Sequence, residues 1–201
     1  MKVLALKLFF LILLCFTAGP GYGQGTIDLP RTGQDTCYDA DGNVIPCSDT
    51  GQDGDLQAGI PWPVPRFEDN GDGTLTDNLT GLIWLKNADC YTALNFTTSL
   101  QACNELEDGQ CGLEDASIAG DWRLPNVVEL ESLIVNEGRS DSANWLIEQG
   151  FTNVQSQYWS STTFRGTRDE AWIVTMEGTV YKYDKRANVG IYHWPVRGGS
   201  D

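Results

Sequence analysis

The chain has 201 residues, enough for one domain with a sizeable core, and carries seven Trp, seven Tyr, seven Phe and 22 Gly. That composition excludes a disordered chain and favours a compact, loop-rich fold. A formal net charge of −15 excludes nucleic acid and anionic membranes as general partners, and leaves solubility outside the cell or cation binding as the use of the acidity.

Residues 1–23 read as a secretory leader. Lys2 and Lys7 form its basic start, residues 8–16 its short apolar core, and Gly21-Tyr22-Gly23 its small-residue cleavage site. The apolar run is too short for a comfortable membrane span. Leu14 is bulky where a lipoprotein signal needs a small residue before Cys15. Cleavage near Gly23 removes Lys2 and Lys7, takes the net charge from −15 to −17, and delivers the protein to the periplasm, the cell surface or the medium.

Residues 24–65 read as an N-terminal arm. Asp41-Gly42 is a hairpin turn signal between Cys37 and Cys47, so the two cysteines face each other and are expected to form a disulfide. Pro61, Pro63 and Pro65 end the arm in extended, rigid backbone. Trp62 among them reads either as a plug against the core or as an exposed contact. From residue 66 a β-region follows, with turns at Asn70-Gly71, Asp72-Gly73 and 78–81. The apolar run Leu82-Ile83-Trp84-Leu85 reads as a buried strand.

A helix is expected over about 99–107, with Thr98 and Gln101 as its capping box and Gly109 beyond its end. Leu100, Cys103 and Leu106 at spacing three face it inward. Cys90 precedes this helix and Cys111 follows it. The favoured pairing is Cys90–Cys111 with Cys103 free; Cys103–Cys111 is the alternative. No CxxC pair is present and His193 is the only His, which argues against a metal site built from these cysteines.

Gly120-Asp121-Trp122-Arg123-Leu124-Pro125-Asn126 marks a sharp helix start. Pro125 holds Leu124 extended, Asn126 is a good N-cap, and Glu129 completes a capping box. The second helix is expected over about 127–135, with Val127, Leu130, Leu133 and Ile134 as its buried stripe. Residues 143–149 add a short helical turn. Four strands are expected at 158–162, 171–176, 179–183 and 189–196, with Glu177-Gly178 a tight hairpin between the middle two. The order of elements is that of an α+β domain, two helices packed on mostly antiparallel strands.

A set of motifs carries a resemblance. It comprises Arg66-Phe67-Glu68-Asp69-Asn70-Gly71-Asp72-Gly73-Thr74-Leu75-Thr76-Asp77, Gly81-Leu82-Ile83-Trp84-Leu85, Gly120 to Asn126, Tyr158-Trp159-Ser160-Ser161-Thr162 and Trp194-Pro195-Val196-Arg197-Gly198-Gly199. Together these resemble the Lcl C-terminal domain family (DUF1566) of exported bacterial proteins, over about 33–199. The resemblance implies a C-type lectin-like fold over 66–199. It also implies that ligand contacts lie in the loop 164–170, between strands, where lectin-like domains vary their binding loops. Arg165, Arg168, Asp169 and Glu170 are the expected contacts, with Tyr181 and Tyr183 as exposed aromatic candidates. Sulfatase-modifying relatives of this general fold need a C-terminal cysteine pair, and no Cys follows Cys111.

Calcium is the one cofactor the residues suggest. Asp69, Asn70 and Asp72 in one turn, and Asp39, Asp41 and Asn43 in another, are dense in oxygen donors that suit a hard cation. Neither is a full EF-hand loop, since position twelve is Leu79 or Thr50, and a plain Asx/Gly turn explains each. The sugar-binding motifs Glu-Pro-Asn, Gln-Pro-Asp and Trp-Asn-Asp of calcium-dependent lectins are missing. The leading expectation is a non-catalytic secreted binding or adhesion module for a cell-surface glycan or protein. The alternatives are an envelope assembly module without a small ligand and an uncharacterised hydrolase.

Overall fold

In the computed structural model the structure describes residues 29–135, 142–187 and 190–198. The expected leader lies outside these residues. Nine strands and four helices are seen among them: β1 Cys37–Tyr38, β2 Val44–Ile45, α1 Asp53–Leu56, β3 Phe67–Asp69, β4 Thr74–Asp77, β5 Leu82–Leu85, α2 Phe96–Asn104, α3 Val127–Glu131, α4 Ser142–Glu148, β6 Gln157–Thr163, β7 Glu170–Thr175, β8 Val180–Asp184 and β9 Val196–Gly198. The strands form three antiparallel sheets, ordered β1-β2, β3-β4-β5-β9 and β6-β7-β8. The α+β class read from the sequence holds, and both favoured disulfides form, Cys37–Cys47 and Cys90–Cys111, with Cys103 buried and free.

The arm is a small disulfide knot. Its two-stranded hairpin is extended by a side chain: the Tyr38 N–H donates to Gln52 Oε1 at 3.0 Å, and Gln52 Nε2 donates to the Tyr38 carbonyl at 2.9 Å. The Gly/Asp-rich stretch after it forms α1. Gly54 explains the site of that turn. A Cβ there would sit 2.9 Å from the Thr36 carbonyl and 3.0 Å from Cys37 Sγ, so only glycine lets the helix close onto the disulfide. Trp62 is the plug rather than the free contact. Its ring lies 5.5 Å from Trp145, and its indole N–H donates to the Arg31 carbonyl at 2.8 Å.

Two apolar clusters hold the rest. The larger lies against the four-stranded sheet and includes Trp84, Trp122, Trp145, Trp194, Phe67, Phe151 and Tyr158. The smaller lies between α2 and the three-stranded sheet and consists of Phe96, Cys103, Leu124, Trp159, Ala171, Ile173 and Ile191. Residues 192–198 join the two sheets. Trp159 N–H donates to the Tyr192 carbonyl at 2.9 Å, and further on Val196 pairs with Trp84 in β5. For this reason the continuous strand expected over 189–196 is absent from its described part: the chain crosses between sheets there, and Pro195 has no N–H for a ladder.

The two main helices start or stop elsewhere than expected. α2 begins at Phe96 because Asn95 is the N-cap; its Oδ1 accepts from the Thr98 N–H and the Thr98 hydroxyl, both at 3.0 Å. Thr98 is thereby inside the first turn with its hydroxyl engaged, and cannot cap. Cys103 is buried on the inner face of α2 and Leu106 is buried beyond the helix end at Asn104, while Leu100 sits on the outward face, 37% exposed. α3 has the expected capping box, Asn126 with Glu129, but ends at Glu131. Ser132 donates its hydroxyl back to the Glu129 carbonyl at 2.7 Å, and Leu133 and Ile134 follow in tighter turns. Leu130 and Leu133 are fully buried all the same.

Closing the short loop of the Cys37–Cys47 bridge contributes about 2–3 kcal/mol. A Cys37→Ser, Cys47→Ser double variant is therefore expected to show native-state proteolysis within residues 29–60 accelerated by about a hundredfold. Unchanged cleavage rates in that segment would contradict the role given to the bridge.

Candidate functional site

The loop between β6 and β7 is built by a local hydrogen-bond frame. Phe164 N–H donates to the Glu170 carbonyl at 2.9 Å, and Glu170 N–H to the Thr167 carbonyl at 3.0 Å. Five of the thirteen Lys and Arg of this acidic chain fall within 165–186: Arg165, Arg168, Lys182, Lys185 and Arg186. Arg165, Arg168 and Asp169 are exposed. Lys185 fastens the loop from beneath, its Nζ donating to Thr163 Oγ1 and to the Arg168 carbonyl, both at 2.8 Å. Asp169 accepts from Arg186 at 3.3 Å, and Glu170 pairs with Lys182 at 2.7 Å. The Lys182 ammonium beside Glu170 holds that carboxyl low, and the Arg186 guanidinium, 2.8 Å from Asp184, lowers Asp184 to about 2.

The pleat separates the six expected contacts. Tyr181 and Tyr183 lie opposite Ile173 and Ala171 in the β7–β8 register, on the side of the smaller core cluster. Tyr181 packs against that cluster, its hydroxyl bonded to Gln157, and Tyr183 is 37% exposed. Glu170 and Asp184 face the other way, together with Trp172 and Lys182. There the half-buried Phe164 and Trp172 meet edge to face at 5.1 Å, with Lys182 Nζ 4.4 Å from the Phe164 ring centre. The loop and one sheet face therefore make one continuous aromatic and charged surface, and the two tyrosines are not part of it. Phe164 and Lys185 were not picked out from the sequence. A loop residue that folds back on its own strand, and a lysine under a loop, leave no pattern of spacing.

A shallow groove of about 520 Å3 lies close by, on the outward face of α2. Thr97, Leu100, Gln101 and Asn104 line one side, and Arg123, Leu124 and Ser161 the other. It adjoins the loop through Lys185, whose carbonyl accepts the Phe96 N–H at 3.2 Å. The groove was hidden in the sequence by the misplaced N-cap. Starting α2 at Phe96 adds Thr97 to the helical face that residues 100, 101 and 104 share.

Both candidate calcium turns are held by their own chain. Asp39 Oδ1 accepts the N–H groups of Asp41 and Asn43 at 2.9 Å each, and Asn43 Nδ2 donates to Asp39 Oδ2 at 3.0 Å. Asp69 accepts from Gly71 N–H at 3.0 Å and pairs with Lys86 at 2.5 Å. Asp72 accepts from the Thr74 N–H and hydroxyl at 3.0 and 2.6 Å, while Asn70 donates to Thr74 and Thr76. Asp39 is held below the usual carboxylate range by Asn43, and Asp69 by Lys86. The side chains of each turn are hydrogen-bonded or ion-paired within the chain. Among the described residues no group of three or more His, Cys, Asp or Glu is placed to hold a metal ion.

His193 is buried and stacks on Tyr91 at 5.4 Å, with neither ring nitrogen hydrogen-bonded. Burial disfavours the imidazolium and lowers its pKa from 6.5 to about 4. Burial likewise pushes the Cys103 thiol up. Neither group reaches the surface described above.

An α+β domain whose aromatic core carries an ion-paired loop and a neighbouring groove is what the geometry defines. The family model of the Lcl C-terminal domain matches residues 73–197, more than half of the chain, and the chain belongs to that family. No curated protein and no solved structure matches it. The matched segment takes in the loop, the groove and β9 as far as Arg197, and leaves the disulfide arm outside.

The His193 environment predicts an acid-side instability. Above pH 6.5 the imidazole is neutral in both folded and unfolded chains and contributes no pH dependence. Between 6.5 and about 4 the unfolded chain takes up a proton that the folded one refuses, so stability falls as pH falls; below about 4 both are protonated and the effect levels off. Denaturant titrations at pH 7 and pH 4.5 are expected to show a loss about 2–3 kcal/mol larger in the parent than in His193→Leu. Equal losses in the two proteins would contradict it.

Proposed function

We propose that this chain is a non-catalytic, exported binding or adhesion module that recognises a cell-surface ligand, a glycan or a protein. The contact surface is the β6–β7 loop, with Arg165, Arg168 and Asp169, continued by Phe164, Trp172, Glu170 and Lys182. The observation that carries this reading is the concentration of cations and half-buried aromatic rings on one loop and the sheet face that continues it, in an otherwise acidic protein. Aromatic and Arg side chains on a frame fixed by its own hydrogen bonds are the usual anchors of recognition surfaces. Resemblance to C-type lectin-like domains supports the choice of this loop. Export is supported by the leader-like residues 1–23 and by two disulfides, which suit an oxidising compartment. Among the described residues no helix is long and apolar enough to cross a membrane. The non-catalytic reading is supported by the absence of any Cys after Cys111 and by His193, which is buried against Tyr91 rather than set beside a nucleophile.

One observation favours the assembly reading as second choice. Leu29, Ile60 and Val64 of the arm are exposed, Val64 at 97%, beside a cavity of about 310 Å3 lined by Pro30, Ile60, Pro61, Pro63 and Leu79.

The test is a binding screen of the exported protein on glycan and bacterial surface-polymer arrays, in calcium and in EDTA, with the variant Phe164→Ala, Arg165→Ala, Arg168→Ala alongside. Binding is expected to persist in EDTA, because both Asp/Asn turns are satisfied internally, and to weaken by about tenfold or more in the triple variant. Binding indifferent to the three substitutions would overturn the loop assignment, and capture of no glycan or polymer would move the reading to assembly.

A further inference from the structure

We propose that the groove on the outward face of α2 seats an uncharged saccharide unit, so that the ligand read above from the loop is a neutral glycan; this inference rests on that reading. Leu100, 37% exposed, is the main apolar surface of the groove, with the nearly buried Leu124 at its base, and it can meet the C–H face of a sugar ring. Around it stand Thr97, Asn104 and Ser161. Their side chains make no hydrogen bond among the described residues, so two hydroxyls and an amide face the groove with donors and acceptors unspent. A polyhydroxylated ligand is the class that uses donors and acceptors in such a mixture.

The charge of the groove selects among such ligands. Arg123 is the one charged residue lining it, and its guanidinium is already forked on Glu129, with both N–O distances 2.7 Å, and bonded to the Gly198 carbonyl at 3.2 Å. Glu129 already compensates that guanidinium, so a carboxylated or sulfated sugar meets no unpaired cation there, and a neutral ring leaves the pair intact. The volume of about 520 Å3 falls in the range of small-ligand sites. A polypeptide strand is the competing occupant. The helix face offers it side-chain groups only, with no free backbone edge to pair with.

The experiment uses the exported protein and saturation-transfer NMR followed by calorimetry. The probes are maltohexaose, cellohexaose, mannohexaose and chitohexaose, with hexagalacturonate as the charged counterpart. At least one neutral hexasaccharide is expected to bind, and Asn104→Ala with Ser161→Ala to weaken it by about tenfold. Thr97→Arg, which fills the groove from an exposed position, is expected to abolish binding while the melting temperature stays that of the parent. A neutral hexasaccharide that binds equally well to both groove variants would overturn the proposal, as would tighter binding of hexagalacturonate or no neutral binding at all. The loop reading fails separately: polymer binding that is lost in the groove variants but kept in the Phe164/Arg165/Arg168 variant would refute the loop and leave the groove standing.

Discussion

Arg66 and Asp77 form a buried ion pair on which the joining of the molecule's parts depends. Their side chains are 3% and 0% exposed, with Nη2–Oδ2 at 3.2 Å and Nε–Oδ1 at 3.4 Å. Taking both charges out of water is expensive, and the pair is tolerable because each partner has further work. Arg66 Nη2 also donates to the Ser132 carbonyl at 2.5 Å, which holds the end of α3. Asp77 accepts the Leu79 N–H and the Thr80 hydroxyl at 2.9 Å each, which shapes the β4–β5 turn. The guanidinium lies over Trp62 of the arm at 4.3 Å, with Phe67 of β3 and Trp145 of α4 within 5.6 Å. One cation thereby ties arm, sheet and two helices together, and a hydrophobic residue in its place could meet the rings but not the carbonyl or the carboxylate.

The proposed binding face depends on that frame at one remove. Residues Trp122 to Pro125 pair with β9 through Arg123 and Val196, whose backbone groups exchange bonds of 3.0 Å in both directions. Trp194 donates its indole N–H to the Leu85 carbonyl at 2.7 Å and meets Trp84 and Phe151 edge to face. Aromatic pairs of this kind add about 0.5–1.5 kcal/mol each beyond burial, but only in fixed relative positions. They set the height of Arg123 and Leu124, and so one wall of the groove. The opposite wall is α2, set by Phe96 and Cys103 against Trp159 and Ile173. The loop and the groove can vary in their exposed residues without disturbing either cluster.

How much of this the sequence disclosed follows from the range of each interaction. The Asn126–Glu129 capping box, the buried run at 82–85 and the Cys37–Cys47 hairpin depend on neighbours within about ten positions, and all were legible. Cys90–Cys111 was legible as the favoured pairing because the helix between them turned Cys103 inward. The N-cap of α2 was misplaced because Asn95 and Thr98 are both good caps, and only the fold decides which one is used. The strand expected over 189–196 failed because its alternation of apolar residues serves two sheets in turn. Arg66 looked like the first residue of a strand, and nothing local shows that its charge is buried. For the site, the loop 164–170 was legible in position. The division of Tyr181 and Tyr183 from Glu170 follows from strand register, and the groove from helix register, neither of which the sequence alone determines.

The most direct test of this account is a double-mutant cycle on Arg66 and Asp77, read by denaturant unfolding, with Arg66→Met, Asp77→Leu and the two combined. Each single change leaves one charge buried without its partner and is expected to cost about 3–5 kcal/mol, while the combined variant, with neither charge to desolvate, recovers a large part of that loss. Single changes that cost less than about 0.5 kcal/mol, or losses that simply add in the combined variant, would contradict the claim that this pair fastens the arm, sheet and helices into one frame.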